Sequence, residues 1–488
     1  MASRGKCPPG TSSLAVGYSP TVILALLLAC ATTLGCRLGA EAPVPPTEGA
    51  TGTTGAAVAA VAVADPVVAE PVGDPVVDTL LAAARADRAR TWARIVALCD
   101  GFGARPTGSR ALAQAIDWSL ARFEEDGLVN VRAQPVTVPV WERGAESLTL
   151  TAPYKEELAL LGLGGSIGTK GVEGSVVVVP SFEDLGPHVA GKVVLFDKPM
   201  EEGTPSILRY GPAVSYRSQG ASRAASFGAV AALVRSVTTR SLATPHTGSM
   251  RYAEGVTQIP SASVTVEDAG RIARLVATGV DVRVRLAMGA RRLPDAPSAN
   301  AIAEIAGETD EVVVIGAHID SWDVGTGAQD DGAGVIHVIE AMRHMRALGV
   351  TPKRTIRAVL FTNEEFGLAG ARAYDEAHGA EPHAAAIESD LGAGRPLGWT
   401  ATGSSPQLAW FMDALAPTGQ RLLGPGGGAD IGPLEARGVL VIGLAPDDAR
   451  YFDIHHTHAD TLDKIDPEAL TEGVAQMAAL AWRLANLP

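Results

Sequence analysis

At 488 residues the chain is too long for one ordinary hydrophobic core, so two folded units are expected after any targeting segment. With 47% hydrophobic and 19% charged residues its composition is globular and able to bury a large core. A formal net charge of −14 argues against nucleic acid and anionic membrane surfaces as partners.

The chain opens with the marks of export. Arg4 and Lys6 precede the apolar run 21–31, which has the length of a signal-peptide core and is too short to span a bilayer. Cys30 in LLLAC and Cys36 in TTLGC each fit a bacterial lipoprotein cleavage box. Residues 1–36 therefore read as a signal peptide. Lipidation at either cysteine and plain secretion are all open, and membrane contact is expected only through such an anchor. Residues 37–75, rich in Ala, Pro, Thr, Gly and Val without helical period, read as a flexible tether. Of Cys7, Cys30, Cys36 and Cys99, only Cys99 lies in the folded part, so neither an intramolecular disulfide nor a thiolate metal site is expected there.

The fold proper is expected from about residue 78. Apolar spacing predicts helices over 78–98 and near 111–124, followed by the extended segment VNVRAQPVTVPVW. Residues 164–288 have another texture: short runs such as GSVVVVPS, GKVVLFD and VDVRVRL alternate with Gly-rich turns and one helix near 219–228. They read as an inserted unit, leaving 76–163 and 289–488 as the main domain. GLGGSIG (162–168) lacks the spacing and strand–helix context of a dinucleotide fingerprint and reads as a turn. From residue 299 strands alternate with helices: strand 311–317, helix 334–347, strands 355–362, 384–389 and 438–444, and a closing helix over 466–485. That alternation predicts an α/β fold, a doubly wound and mostly parallel sheet covered on both faces.

The polar residues after these strands form the functional signal. His318 and Asp330 follow strand 311–317 in HIDSWDVGTGAQDD, Glu364 and Glu365 follow 355–362, Asp390 follows 384–389, and His455-His456-Thr457-His458-Ala459-Asp460 follows 438–444. Ligands bind at the carboxyl ends of the strands in open α/β sheets. Gathered carboxylates repel one another unless cations sit among them. Two imidazoles and three carboxylates without a thiolate suit a pair of borderline divalent ions such as Zn²⁺, with one carboxylate left over as a base.

At these motifs the chain resembles the M28 family of co-catalytic zinc metallopeptidases, and within it the plasma glutamate carboxypeptidase (carboxypeptidase Q) group. HIDSWDVGTGAQDDGAG, KRTIRAVLFTNEEFGLAGA, ESDLGA and FDIHHTHADT carry the resemblance, which extends from about residue 95 to the C-terminus. It implies a zinc exopeptidase fold (phosphorylase/hydrolase-like) with 164–288 as a protease-associated domain, and two Zn²⁺ per chain. His318 and Asp390 would hold one ion and Glu365 and His456 the other. Asp330 would bridge them, Glu364 would be the general base, and Asp320 would orient His318. The family's HxxxD spacing selects His456 over His455 and His458, and a cis Asp330–Asp331 bond is implied as well. Short peptides, dipeptides above all, are the implied substrates, and a homodimer the implied assembly. Aminopeptidases share these ligands, so the substrate end is open, and Asp430 in GGGADIGPL is a candidate contact for a substrate terminus. A receptor-like homologue without activity and a single-zinc acyltransferase are the rivals. The filled ligand set and the Glu-Glu pair speak against both.

Overall fold

The computed structural model describes residues 73–203 and 206–488. The signal segment, both candidate lipidation cysteines and nearly all of the tether lie outside the described residues. None of the described helices is long and apolar enough to cross a membrane.

Helical structure starts earlier than apolar spacing suggests. Asp74 accepts hydrogen bonds from the Val76 and Val77 amides (2.9 and 3.2 Å) and caps the helix Pro75–Ala86. Proline at its first position needs no amide partner. The single helix read over 78–98 is two, because the chain breaks at Asp87 before Arg88–Phe102.

Two eight-stranded sheets follow. The first runs in the order Val129–Glu142, Arg291–Ile305, Arg354–Phe361, Thr309–His318, His383–Glu388, Leu440–Pro446, Pro396–Thr402, Leu422–Gly424. Its central strands, from Arg354–Phe361 to Leu440–Pro446, pair in parallel, whereas Val129–Glu142, Arg291–Ile305 and Pro396–Thr402 join antiparallel. The sheet is therefore mixed, with its parallel part at the centre. Helices cover both faces there. Val313, Ile315 and Ala317 point into one core with Ile336, Met342, Leu470 and Leu480, while Val312 and Val314 point into another with Ala371, Tyr374 and Leu434. Alternation with a period of two along a wholly apolar strand is what burial on both faces requires.

The second sheet runs Glu156–Leu158, Glu146–Ala152, Arg283–Met288, Thr169–Val179, Val193–Phe196, Ala231–Arg235, Ser261–Val264, Leu160–Gly162. It takes in 146–162, ahead of the residue-164 boundary drawn from sequence texture. Two helices cover it, Ile207–Ala225 and Val266–Ala277, where sequence texture suggests one. The Gly-rich turn 162–168 packs against the first sheet's loops: a Cβ at Gly164 would collide with the Trp322 and Phe366 rings.

Candidate metal centre

The strand Thr309–His318 is buried to its last residue and delivers His318 to the carboxyl edge of the first sheet. The loop after it is tied down through its main chain. Arg105 donates to the carbonyls of Ile319 (2.8 Å), Thr326 (2.8 Å) and Gly327 (3.0 Å), and Asp460 accepts from the amides of Ala328, Gln329 and Asp330 at 3.1, 2.7 and 3.2 Å. Asp331 accepts from the amides of His318 (3.2 Å) and Gly334 (2.9 Å), linking strand end to helix start. The Asp330–Asp331 peptide bond is cis.

Asp330 lies between two histidines. Its Oδ1 is 3.1 Å from His318 Nε2, and its Oδ2 is 3.1 Å from His456 Nε2. His318 Nε2 also lies 3.2 Å from Asp390 Oδ1, and His456 Nε2 lies 3.1 Å from Glu365 Oε2. Five residues from four strand ends thus form two His–carboxylate pairs sharing one carboxylate. All but Asp390 are at least nine-tenths buried. His455 approaches Asp330 at 3.4 Å and stacks on His456, but it forms no close pair with Glu365 or Asp390. His458 is exposed and takes no part.

The far nitrogen of each imidazole faces a backbone carbonyl: His318 Nδ1 lies 3.0 Å from the Asp320 oxygen and His456 Nδ1 lies 3.3 Å from the Thr247 oxygen. A proton on each Nδ1 turns the Nε2 lone pairs toward the carboxylates, the orientation a metal-binding histidine adopts. Asp320 therefore contacts His318 through its carbonyl. Its carboxylate, 3.9 Å from Nδ1, instead accepts from the Glu364 amide and the Thr107 hydroxyl, both at 3.0 Å.

Electrostatics shows what the cluster lacks. Burial lowers the His318 imidazole, but Asp390 and Asp330 outweigh it and hold the ring well above its usual value. His456 is likewise pushed up to about 9, Glu365 and Asp330 overcoming burial. Burial also opposes ionisation of Asp330, yet hydrogen bonds to both histidines keep its carboxyl far below the usual range. Glu365, pushed up to about 7 by burial and by the Asp330 charge, leaves its Oε1 buried without a partner. Carboxylates crowded this closely favour positive charge among them, and the donor set of two imidazoles and three carboxylates fits a divalent cation.

Glu364 lies next to the pairs, its carboxylate free of hydrogen bonds among the described residues. Burial, with the nearby Asp390, Glu365 and Asp430 charges, holds it well above the carboxylate range. Asp430 is buried with both oxygens unpartnered, beside Glu388, whose carboxyl burial and Asp390 push up to about 8. His246 is buried on the His456 side and pushed down to about 3 by burial and by His456, while its neighbour Thr247 donates to the His456 carbonyl at 3.0 Å. Sequence reasoning missed Arg105, Glu388 and Thr247, and used Asp460 only as a spacing marker. Only Glu388 carried a signal, an acid inside a buried strand.

A mixed α/β sheet that gathers acids and imidazoles around one shared carboxylate at its carboxyl edge defines a metal-dependent hydrolase. Residues 300–481 match Peptidase family M28. The chain is 40% identical to carboxypeptidase Q of Bos taurus and 39% identical to that of Homo sapiens, each over 411 residues covering 82% of this chain and 86% of the relative. A peptidase M28 precursor from Shewanella amazonensis SB2B has the same architecture, with a TM-score of 0.79 at 38% identity over 84% of this chain and 96% of that one. An aminopeptidase from Aneurinibacillus sp. strain AM-1 shares the fold at a TM-score of 0.62 and 19% identity, over 84% and 97% of the two chains. The chain belongs to peptidase family M28 and is a metallopeptidase.

Proposed function

We propose that the protein is a dizinc exopeptidase that removes a terminal residue from short peptides, dipeptides above all, as a carboxypeptidase Q-like enzyme. The observation that carries this reading is Asp330, each of whose oxygens faces a different His–carboxylate pair. On this reading His318 and Asp390 would hold one zinc, His456 and Glu365 the other, and Asp330 would serve both. When bound, such a pair polarises the peptide carbonyl and lowers the pKa of water to about 7.

The chain's own residues supply the rest. Glu364 takes the proton from the attacking water and returns it to the departing amine, the work of a general base that becomes a general acid. Asp320 and Thr107 hold the backbone of Glu364 and the Asp320 carboxylate in place for that transfer. Burial of the cluster excludes bulk water from the reacting carbonyl. An aminopeptidase is the second reading, favoured by the unpartnered carboxylate of Asp430, which could receive a substrate ammonium. The second sheet acts as a protease-associated domain that covers the centre, and the enzyme is exported, lipid-anchored or free, and works as a homodimer.

Zinc content and turnover test this together. Elemental analysis should find two zinc ions per chain, and chelation should abolish hydrolysis of the dipeptide Ala-Phe until zinc is restored. One zinc per chain, or hydrolysis indifferent to chelation, would refute the dizinc reading.

A further inference from the structure

The two histidines of the centre are held in different ways. His318 Nδ1 faces the carbonyl of Asp320, two residues further along the same loop. His456 Nδ1 faces the carbonyl of Thr247 at 3.3 Å, and Thr247 belongs to the second sheet, between the strands Ala231–Arg235 and Ser261–Val264. With the proton on Nδ1, Arg217 Nη1, 3.4 Å from both atoms, has that same oxygen as its acceptor. Thr247 grips the main chain as well, its amide donating to the His456 carbonyl at 3.0 Å. His456 needs the grip. Its φ of 62° is a left-handed conformation that a residue with a Cβ keeps only where its neighbours hold it.

Thr247 is itself locked, and the lock runs back to the first sheet. Fully buried, it donates through its hydroxyl to the Gly162 carbonyl at 2.7 Å and accepts from Arg143 Nη2 at 3.2 Å. Arg143 lies where the chain crosses from Val129–Glu142 of the first sheet to Glu146–Ala152 of the second. Its Nε and Nη2 reach the two oxygens of Asp323 at 2.8 and 2.6 Å, a bidentate pair that fixes direction as well as distance. Asp323 sits in the loop between His318 and Asp330. One polar path, Asp323–Arg143–Thr247–His456, thus leaves the centre on one loop, passes through the second sheet and returns on another. The His318–Asp390 side has no such dependence: both residues, and the carbonyl that faces the far nitrogen of its ring, follow strands of the first sheet.

We infer that Thr247 is a positioning residue for the ion on the His456–Glu365 side and that Arg143 latches it in place, so that this ion and the docking of the second sheet strengthen one another. The inference rests on the dizinc reading above and extends it, because the two ions then depend unequally on the second sheet. Linkage makes the coupling reciprocal: whatever loosens the sheet weakens this ion, and removal of the ion loosens the sheet.

Zinc binding by the full-length chain, stripped with chelator and dialysed against buffered free zinc, tests this. The unaltered chain should bind two ions. Thr247→Val keeps the shape but removes the hydroxyl that anchors the residue. It should bind one ion as before and the other on the order of 10–100-fold more weakly. Thr247→Ser should restore the second ion, and Arg143→Gln should weaken the same one. The ion that stays tight in each variant shows that the first sheet is folded. His456→Ala should keep one ion, and adding Thr247→Val to it should leave the affinity of that ion unchanged. Two ions bound by Thr247→Val as tightly as by the unaltered chain, or a further loss in the double variant, overturns the inference while the dizinc reading stands. A single ion in the unaltered chain overturns both.

Discussion

At the scale of single residues, the proposed mechanism gives Glu364 and Asp330 two different kinds of work. Glu364 makes no hydrogen bond through its carboxylate among the described residues, and both pairs of putting-together contacts run through other side chains, so Glu364→Gln should leave the metal sites intact. On the proposed mechanism it removes the proton carrier, for which a loss of roughly 10²–10⁴ in kcat is the usual scale. Zinc content measured alongside kcat checks the pair of outcomes, and a variant that remains active would move the base elsewhere. Asp330 is the opposite case. Each of its oxygens meets a different histidine, and no other carboxylate among the described residues pairs with both. Asp330→Ala should therefore lose most of its zinc in elemental analysis, and full occupancy would refute a bridging role.

At the scale of elements, the helix Ala333–Ala347 and the closing helix Pro467–Asn486 cross where His337 meets Gly473. His337 is buried, with Nδ1 2.9 Å from the Ser389 hydroxyl and Nε2 unpartnered, and burial pushes its imidazole down to about 4. The unfolded chain takes up this proton near pH 6.5 and the folded chain only near 4. The stability that comes from keeping the ring neutral is thus complete above pH 6.5 and drains away as pH falls toward 4. At pH 5 the loss attributable to this residue is about 2 kcal/mol. Denaturant unfolding at pH 7.5 and 5 should show a smaller pH dependence in His337→Gln than in the unaltered protein, and equal dependence would discount the residue. Helices and strands of this kind were legible where the pattern was strong: 311–317, 355–362 and 334–347 each fall within two residues of Thr309–His318, Arg354–Phe361 and Ala333–Ala347. Asp87 was not legible as a break, because one polar residue inside an amphipathic pattern reads as its solvent face. The helix Ile207–Ala225 was read short, since Gly211 and Pro212 in its first turns look like a turn. Arg105 and Asp460 stayed hidden for another reason: they bind main-chain atoms of a loop, which no side-chain pattern reports.

At the scale of the whole molecule, two sheets meet over one charged centre, and the sequence could show the charges without showing the meeting. The Thr247 amide of the second sheet's loop donates to the His456 carbonyl, Arg143 pairs with Asp323, and Trp141 stacks on Phe366 at 6.2 Å. Each contact joins a segment near the second sheet to a loop that carries a site residue. The centre itself is a liability without cations, since three carboxylates crowd around two imidazoles. Metal that binds the folded chain and not the unfolded one stabilises it by mass action, about 2.7 kcal/mol for a site at a hundred times its Kd. Chelation should therefore lower the Tm of the full chain, and added zinc should restore it. Asp330→Ala should melt at one temperature with or without chelator, because its sites no longer assemble. A Tm of the unaltered protein that ignores both chelator and zinc would mean that the acids at the sheet edge are balanced by protons alone, and the metal centre would lose its energetic basis.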